Sequence, residues 1–469
     1  VVAAGAMPWN RQILNVALMI LGAAWVTDGL FHSKRAPRLR RFLHPDFLLP
    51  SSMFLVYVLG LIWTEDLVWG GKLVAIVIPL LLYPFYFAVI PALTQKELSL
   101  VLITFISATL IVTLVGFFST HANEINDFRD YSPIISHIRL GMMVCMSVAI
   151  CARWIFTASG PVKWLTVPVL IWFIYYLNIL ASFQGLFVLA VLMLYGLWNL
   201  GKWRAEAGIV GRALAVLSVL GGVAIVIITY QDYFSDRSFS GVRSSKYVRA
   251  EYPMVIERGR AVWQHVSPGE LEEAWNERSA IDLSGKDRKG QKIYHTICRY
   301  MTSLDLPKNA AGVSHLSDAD IDRIESGIAW ADMGLRNPVR ERLDMLYFQW
   351  DNYRRHGYTA GSSLTMRLVF WETAWNLIKE NWLIGVGTGD TQLAFDEAYV
   401  SAGSSLPREY RLRAHQQFLT WWLSFGLIGF LWLLFAFIYP IVRRWRSRHP
   451  LFEAFLLIAL TSFMTDDTL

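Results

Sequence analysis

Runs of roughly 20 apolar residues recur along this chain, the length an α-helix needs to cross the hydrocarbon core of a bilayer. Ten can be read, near 12–31, 48–64, 71–93, 98–119, 139–157, 163–181, 184–200, 211–230, 415–441 and 451–466. The sixth and seventh are parted only by Ser182-Phe183-Gln184. None alternates with period two, and backbone groups in lipid must be satisfied internally, so helices rather than a barrel are predicted. Hydrophobic residues make up 54% of the 469, too many for an ordinary soluble protein. The expected fold is all-α, a polytopic membrane bundle. The opening VVAAGAM reads as the tail of a further helix, so about twelve spans are expected in a longer parent chain.

The formal charge of +6 invites a nucleic-acid reading until the basic residues are placed. Outside 231–414, fifteen of 19 gather at 34–41, at Lys96, Arg153 and Lys163 within 96–163, at 202–212 and at 443–448, and alternating the spans puts these on one side. An excess of Lys and Arg marks that side as cytoplasmic. The opposite loops carry Glu65, Asp66, Glu124, Asp127 and Asp130. Basicity here is topology, and no nucleic-acid partner is expected. The chain therefore divides into helices 1–230, a large segment 231–414 outside the cytoplasm, and two last spans in 415–469. The first eight spans hold almost no charge at their centres; Asp28 lies near a cytoplasmic end. Coupled transporters need ionisable groups at membrane depth, so a transporter is disfavoured. Cys145 and Cys151 fall within the fifth span and Cys298 stands alone outside, which excludes a disulfide framework there.

The segment 231–414 has balanced charge and clear helix signals. Asn337-Pro338 opens a helix that Gly357 stops, and Ser317 caps another that begins DADIDRI. A third is expected around 290–303. Asp318 and Asp320 have the spacing of a cation-holding DxD motif, but they sit where acids stabilise a helix N-terminus, and the cap is the better reading. Gly385-Val386-Gly387-Thr388-Gly389 resembles a phosphate loop, yet it follows a helix and not a strand; a tight turn is predicted instead. From Thr365 to Asn381, Leu368, Trp371, Trp375, Ile378 and Trp382 form one apolar stripe, as on a helix lying at the membrane surface over 365–381. Arg367 in its first turn opposes the helix dipole, which calls for a reason. It either donates to a phosphate or pairs with a loop acid.

Polar residues meet the ninth span abruptly at RLRAHQQFLTWWLSFGLIG, residues 411–429. Arg411, Arg413, His415 and Gln416 crowd this boundary, with Gly426 and Gly429 further in, where small residues let helices approach closely. Across the bundle, His137 and Arg139 begin the fifth span; Arg139 is an interfacial anchor or an outward-facing cation for a phosphate, and His137 is interfacial.

His415-Gln416, nine residues, then Gly426-Leu427-Ile428-Gly429 matches the H-[N/S/Q]-x9-G-x-x-[G/T/Y] pattern of the O-antigen ligases. The stretch 362–376 ahead of WLIGVGTGD, with Arg367 about 50 residues before the histidine, is similar to the region preceding that histidine in the same family. The chain thus resembles the superfamily of O-antigen ligases, O-antigen polymerases and bacterial protein O-oligosaccharyltransferases, closely over 362–429 and loosely elsewhere. One departure stands out. Ser182-Phe183-Gln184-Gly185 occupies the place where such ligases carry a Ser-Arg-Gly-like step, and it has no arginine.

The resemblance implies a multi-pass protein of the bacterial inner membrane with its active site on the periplasmic face. It implies a polyprenyl-diphosphate-linked glycan as donor and a hydroxyl of lipid A–core or another glycan as acceptor, among membrane lipids, with no metal or cofactor. On that footing His415 is the general base, and Arg367 and Arg139 clamp the departing diphosphate. Arg413, Arg411, Gln416 and His137 are secondary candidates. Base catalysis of this kind is worth roughly 10²–10⁴-fold, and guanidinium forks match phosphate oxygens without a metal. A single in-line displacement would invert the anomeric carbon. O-antigen ligation is the leading expectation; a polymerase, a protein O-oligosaccharyltransferase and, more remotely, a lipid-linked glycan transporter are the alternatives.

Overall fold

A computed structural model describes residues 1–9, 11–31, 40–89, 92–121, 128–157, 160–200, 208–235, 255–333, 337–357, 359, 362–404, 406–443 and 449–467. The basic clusters at 34–39, 202–206 and 444–448, and Glu124 and Asp127, lie outside these residues.

Each of the ten apolar runs is helical. The first forms α1 (Arg11–Phe31), and α2 (Pro45–Leu59) follows. The third run forms two consecutive helices, α3 (Leu67–Val77) and α4 (Pro79–Val89). Then come α5 (Gln95–His121), α6 (His137–Thr157), α7 (Pro161–Leu180), α8 (Phe183–Trp198) and α9 (Gly208–Ser235). Among the described residues, seven helical stretches are long and apolar enough to cross a membrane: 45–63, 67–88, 95–120, 137–157, 163–180, 208–234 and 417–443. The apolar helices Phe183–Trp198 and Pro450–Thr465 are shorter. At 1.5 Å per residue a 16-residue helix spans roughly 24 Å, less than the roughly 30 Å hydrocarbon core. Exposed aliphatic side chains on α9, among them Ile209, Leu217 and Ile228, suit a lipid-facing surface. The chain is a multi-pass membrane protein.

The α7–α8 hairpin turns at Ala181, in the left-handed region at φ 45°, and Ser182 caps α8 by accepting from the Gly185 N–H. One core joins α5, α6, α7 and α8 through Val112, Leu140, Val144, Phe173, Leu177 and Val188. Small residues bring α6 and α8 together: a Cβ on Gly141 would lie 3.7 Å from the Gly185 Cα.

The part between α9 and the last two helices is mostly helical, with one departure from the all-α expectation, a short hairpin of β1 (Ile256–Glu257) and β2 (Arg260–Ala261). With α10 (Pro268–Asn276), α11 (Ile293–Ser303) and α12 (Asp318–Glu325), it encloses its own core of Leu271, Trp275, Ile293, Ile297, Met301 and Ile324. The Ser317 cap forms as a full capping box with Asp320, which also accepts from the Tyr300 hydroxyl, while Asp318 pairs with Arg278. Both DxD acids are thereby engaged in local structure. Asn337 caps α13 (Pro338–His356) and Gly357 ends it at φ 68°. This helix does not stand free in a solvated domain. Tyr347 reaches the Thr229 hydroxyl (2.9 Å) and the Val226 carbonyl on α9, so α13 packs on a membrane helix.

α14 (Thr365–Glu380) and α15 (Thr391–Ser401) pack together. On α14, Phe370, Ala374, Leu377 and Ile378 form the buried face, while Trp375 and Trp382 of the predicted stripe stay exposed. α16 (Gln417–Arg443) and α17 (Pro450–Thr465) complete the bundle. α16 packs on α2 through Trp421, Phe425 and Leu433 against Met53 and Tyr57, and the Trp421 indole donates to the Tyr57 hydroxyl at 3.0 Å.

Candidate active site

His415 sits where a strap from α15 turns into α16. Backbone carbonyls pin the strap down: Arg411 donates to those of Leu406 (2.9 Å) and Ser404 (3.2 Å), Tyr399 to that of Leu412 (2.8 Å), and the Trp371 indole to that of Ala414 (3.0 Å). Ala414 is fully buried. The next residue is forced to φ 47°, a left-handed conformation that non-glycine residues seldom adopt. Such strain costs about 1–3 kcal/mol and persists where the surroundings over-determine it. It aims the His415 ring at the end of α17, with Phe370 at 6.0 Å behind it.

There His415 Nδ1 lies 3.1 Å from Asp466 Oδ1. Burial works against the Asp466 charge. The His415 hydrogen bond and charge, the Asp467 N–H and the Arg367 guanidinium outweigh it and hold this carboxyl below its ordinary range. A carboxylate accepts, so Nδ1 is the donor to Asp466, and in the neutral ring the lone pair then lies on Nε2. The histidine side chain is 36% exposed, enough to be reached. Asp467 works beside it, accepting from the Gln416 N–H (3.0 Å) and the Thr420 hydroxyl (2.7 Å), while Gln416 Oε1 accepts from the Leu419 N–H. Two acids and a glutamine thus cap α16 and orient its histidine at the positive end of the helix dipole.

Arg367 belongs to the same cluster. It donates to the carbonyls of Thr465 and Ser363, both at 3.1 Å, and the Asp466 charge opposes the lowering of its pKa by burial. The cation that opposes its own helix dipole therefore completes the C-terminal end of α17, where a positive charge is favourable. Among the described residues, Arg367 Nε, Thr365 Oγ1 and Asp467 Oδ2 are buried here without a hydrogen-bond partner. Clustered orphans of this kind are what a site built for a polar ligand presents.

The other candidates separate. Arg411 holds the strap and is spent on carbonyls. Arg413 is half-buried, has no hydrogen-bond or ion-pair partner among the described residues, and lies in electrostatic reach of Tyr57. Arg139 is exposed in the first turn of α6, His137 half-buried beside it, and the structure brings neither into contact with His415. α6 packs against α17, however, and its first turn borders Ser182–Gly185. At that step Gln184 is buried, and its Nε2 has no partner among the described residues.

Gly426 proves to be something other than a helix-contact glycine. It breaks α16 at φ 61°, ψ −172°. The turn 382–390 fills the break: Val386 and Gly387 donate to the carbonyls of Leu423 and Ser424, both at 2.9 Å, and the Leu427 N–H donates to that of Trp382 at 2.8 Å. A Cβ on Gly426 would meet the Leu383 carbonyl oxygen at 2.1 Å. The same turn reaches α2, since the Thr388 hydroxyl donates to the Tyr57 carbonyl, and the Asp390 carboxylate accepts from the N–H groups of Glu65 and Asp66. The glycine-rich stretch is a tight turn, as predicted, and serves as a backbone wedge. Gly429 does fit the close-approach expectation, since a Cβ there would lie 3.5 Å from Val56 Cγ1 of α2.

Asp466 and Asp467 were not read as functional in the sequence. An acidic pair at a helix end has no signal by itself, and only the antiparallel return of α17 sets it beside the histidine. The fold and this cluster define a multi-pass membrane protein with an oriented histidine and an arginine at one end of its bundle. Residues 330–434 match the family model of the O-antigen ligases. The match takes in Arg367, His415, Gly426 and Gly429. No curated protein and no solved structure matches the chain.

Proposed function

We propose that the protein transfers a glycan from a polyprenyl-diphosphate donor to an acceptor hydroxyl on the periplasmic face, with O-antigen ligation to lipid A–core as its reaction. The observation that carries this reading is the His415–Asp466 hydrogen bond, which leaves Nε2 as a base. The acceptor oxygen attacks the anomeric carbon and gives its proton to His415 Nε2. The bond from that carbon to the diphosphate breaks, and the diphosphate leaves on its lipid carrying the negative charge. Asp466 stabilises the imidazolium that forms, as a carboxylate behind a catalytic histidine does. Arg367 lies where a phosphate would gain a guanidinium partner. Arg139 and Arg413, both exposed enough to reach a ligand, are the remaining cations for the diphosphate.

The test uses purified protein in lipid nanodiscs with polyprenyl-diphosphate-linked glycan. Lipid A–core, a second donor molecule and an acceptor protein are offered separately, and the product is followed by mass. Transfer to lipid A–core that disappears in His415→Ala supports the reading. Extension of the donor glycan instead would make the protein a polymerase, and undiminished transfer by His415→Ala would remove the base.

A further inference from the structure

A second polar cavity, of about 390 Å³, lies where three parts of the chain meet: the end of α9, the β1–β2 hairpin unit and α13. We propose that it is a saccharide-binding subsite that takes sugar units of the glycan substrate remote from the reacting carbon. The inference rests on the glycosyltransferase reading for the identity of its ligand, and its volume falls in the range of small-molecule pockets.

The wall of this cavity is made of paired charges. Arg258 forks between Asp332 (2.8 Å) and Asp344 (2.9 Å), and Arg340 between Asp344 (3.0 Å) and Asp232 (2.6 Å). Arg260 lines the cavity beside them, donating to the Ser303 carbonyl (2.9 Å) and lying 3.1 Å from Asp305. Each guanidinium is matched by a carboxylate, so no excess charge recruits a phosphate. What remains is a ring of fixed donors and lone pairs in bidentate arrangements, the chemistry that reads neighbouring hydroxyl groups. A lipid chain would find no apolar channel there.

The placement of Arg258 supports a built site. It and Gly259 form the two-residue connection of the hairpin, at φ 48° and φ 78°. Asn or Gly usually fills the first of these positions. An arginine there carries backbone strain, and its side chain is held over the Trp330 ring at 4.9 Å. The buried Trp330 ring thus fixes the Arg258 fork in the cavity wall, so its donors are set before a ligand arrives.

None of the described residues that line the cavity belongs to the strap, to α16 or to the end of α17. Most of the hairpin unit lies before residue 330, outside the segment that matches the family. A site of this kind distinguishes one glycan from another without touching the chemistry.

Binding is measured on the full chain in nanodiscs by saturation-transfer NMR. The probe is free oligosaccharide released by mild acid from the lipid-linked glycans of the cells that make the protein, and inorganic pyrophosphate is the anionic counter-probe. Saccharide should bind and pyrophosphate should not displace it. Leu304→Trp fills the cavity from an exposed rim position and should weaken binding at least tenfold. Arg260→Ala should weaken it at least fivefold, which keeps the test open if the first variant does not fold. His415→Ala should bind within twofold of wild type while losing transfer. Absence of saccharide binding, displacement by pyrophosphate, unchanged binding in both cavity variants, or loss of binding in His415→Ala would each overturn the subsite. Normal binding together with normal transfer in His415→Ala would instead remove the base and leave the subsite standing.

Discussion

The hairpin unit of 255–333 and the strap around His415 are both made of short helices and turns, yet they solve opposite problems. The hairpin unit has a core of its own, and Ser317 with Asp320 closes the start of α12 locally. Glu257 pairs with Arg299 at 2.7 Å, and Asp287 accepts from the nearby Lys289 and Gln291 N–H groups. The strap region has little that is local. Its hydrogen bonds reach from 382–390 to α2 and from 415–420 to the end of α17, and it keeps a histidine at positive φ beside orphaned polar atoms. Locally satisfied structure can be added without disturbing the rest. Backbone strain does not separate the two, since Arg258, His265 and Asp305 of the hairpin unit also lie at positive φ; the strap differs in that its strained residue is held by contacts distant in sequence.

Substitutions can break or sharpen that contrast. The largest effect is expected from His415→Ala, a loss of transfer of roughly 10²–10⁴-fold at unchanged expression, measured in nanodiscs. Gly426→Ala should disrupt assembly itself, because the new Cβ meets the Leu383 backbone and φ 61° is strained for alanine. Size-exclusion chromatography in detergent should show little monodisperse protein.

Asp466→Asn should lower transfer by about 10–10²-fold, the range for a group that orients another's imidazole. The pH profile gives this prediction its sign. A folded-state pKa below the unfolded value contributes stability that is present above the unfolded pKa, about 3.9, and is lost as pH falls through the folded one. Wild type should therefore lose thermal stability below about pH 4, and Asp466→Asn should lose less over the same window. The smallest effect belongs to the hairpin unit. Asp320→Ala should remove about 1 kcal/mol of local stability, seen as faster amide exchange in α12, and leave transfer unchanged. A large loss of transfer in that variant would erase the distinction between the two regions.

Much of this protein was legible in its residues alone. Hydropathy and the 3.6-residue period are local properties, so the ten apolar runs, the caps at Asn337 and Ser317 and the stop at Gly357 could be read directly. The spacing from His415 to Gly426 and Gly429 carried the family, because a motif is also a local record. The stripe on α14 could be read from its period; Trp375 and Trp382 on it stay exposed, while Ile378 packs inward with Phe370, Ala374 and Leu377. Periodicity names a stripe but not what covers it.

What only the tertiary structure decided lies between residues far apart in sequence. Asp466 is 51 positions from His415, beyond two helices, and nothing near it marks it as the partner of an imidazole. Arg367 gained its reason only when the end of α17 was set against the start of α14. The role of Gly426 changed from a contact between helices to a break filled by a distant turn, because a glycine's freedom has no meaning until something occupies the space it leaves. Local sequence determined where helices form and which side chains carry chemistry; the return of the chain on itself determined which of them meet.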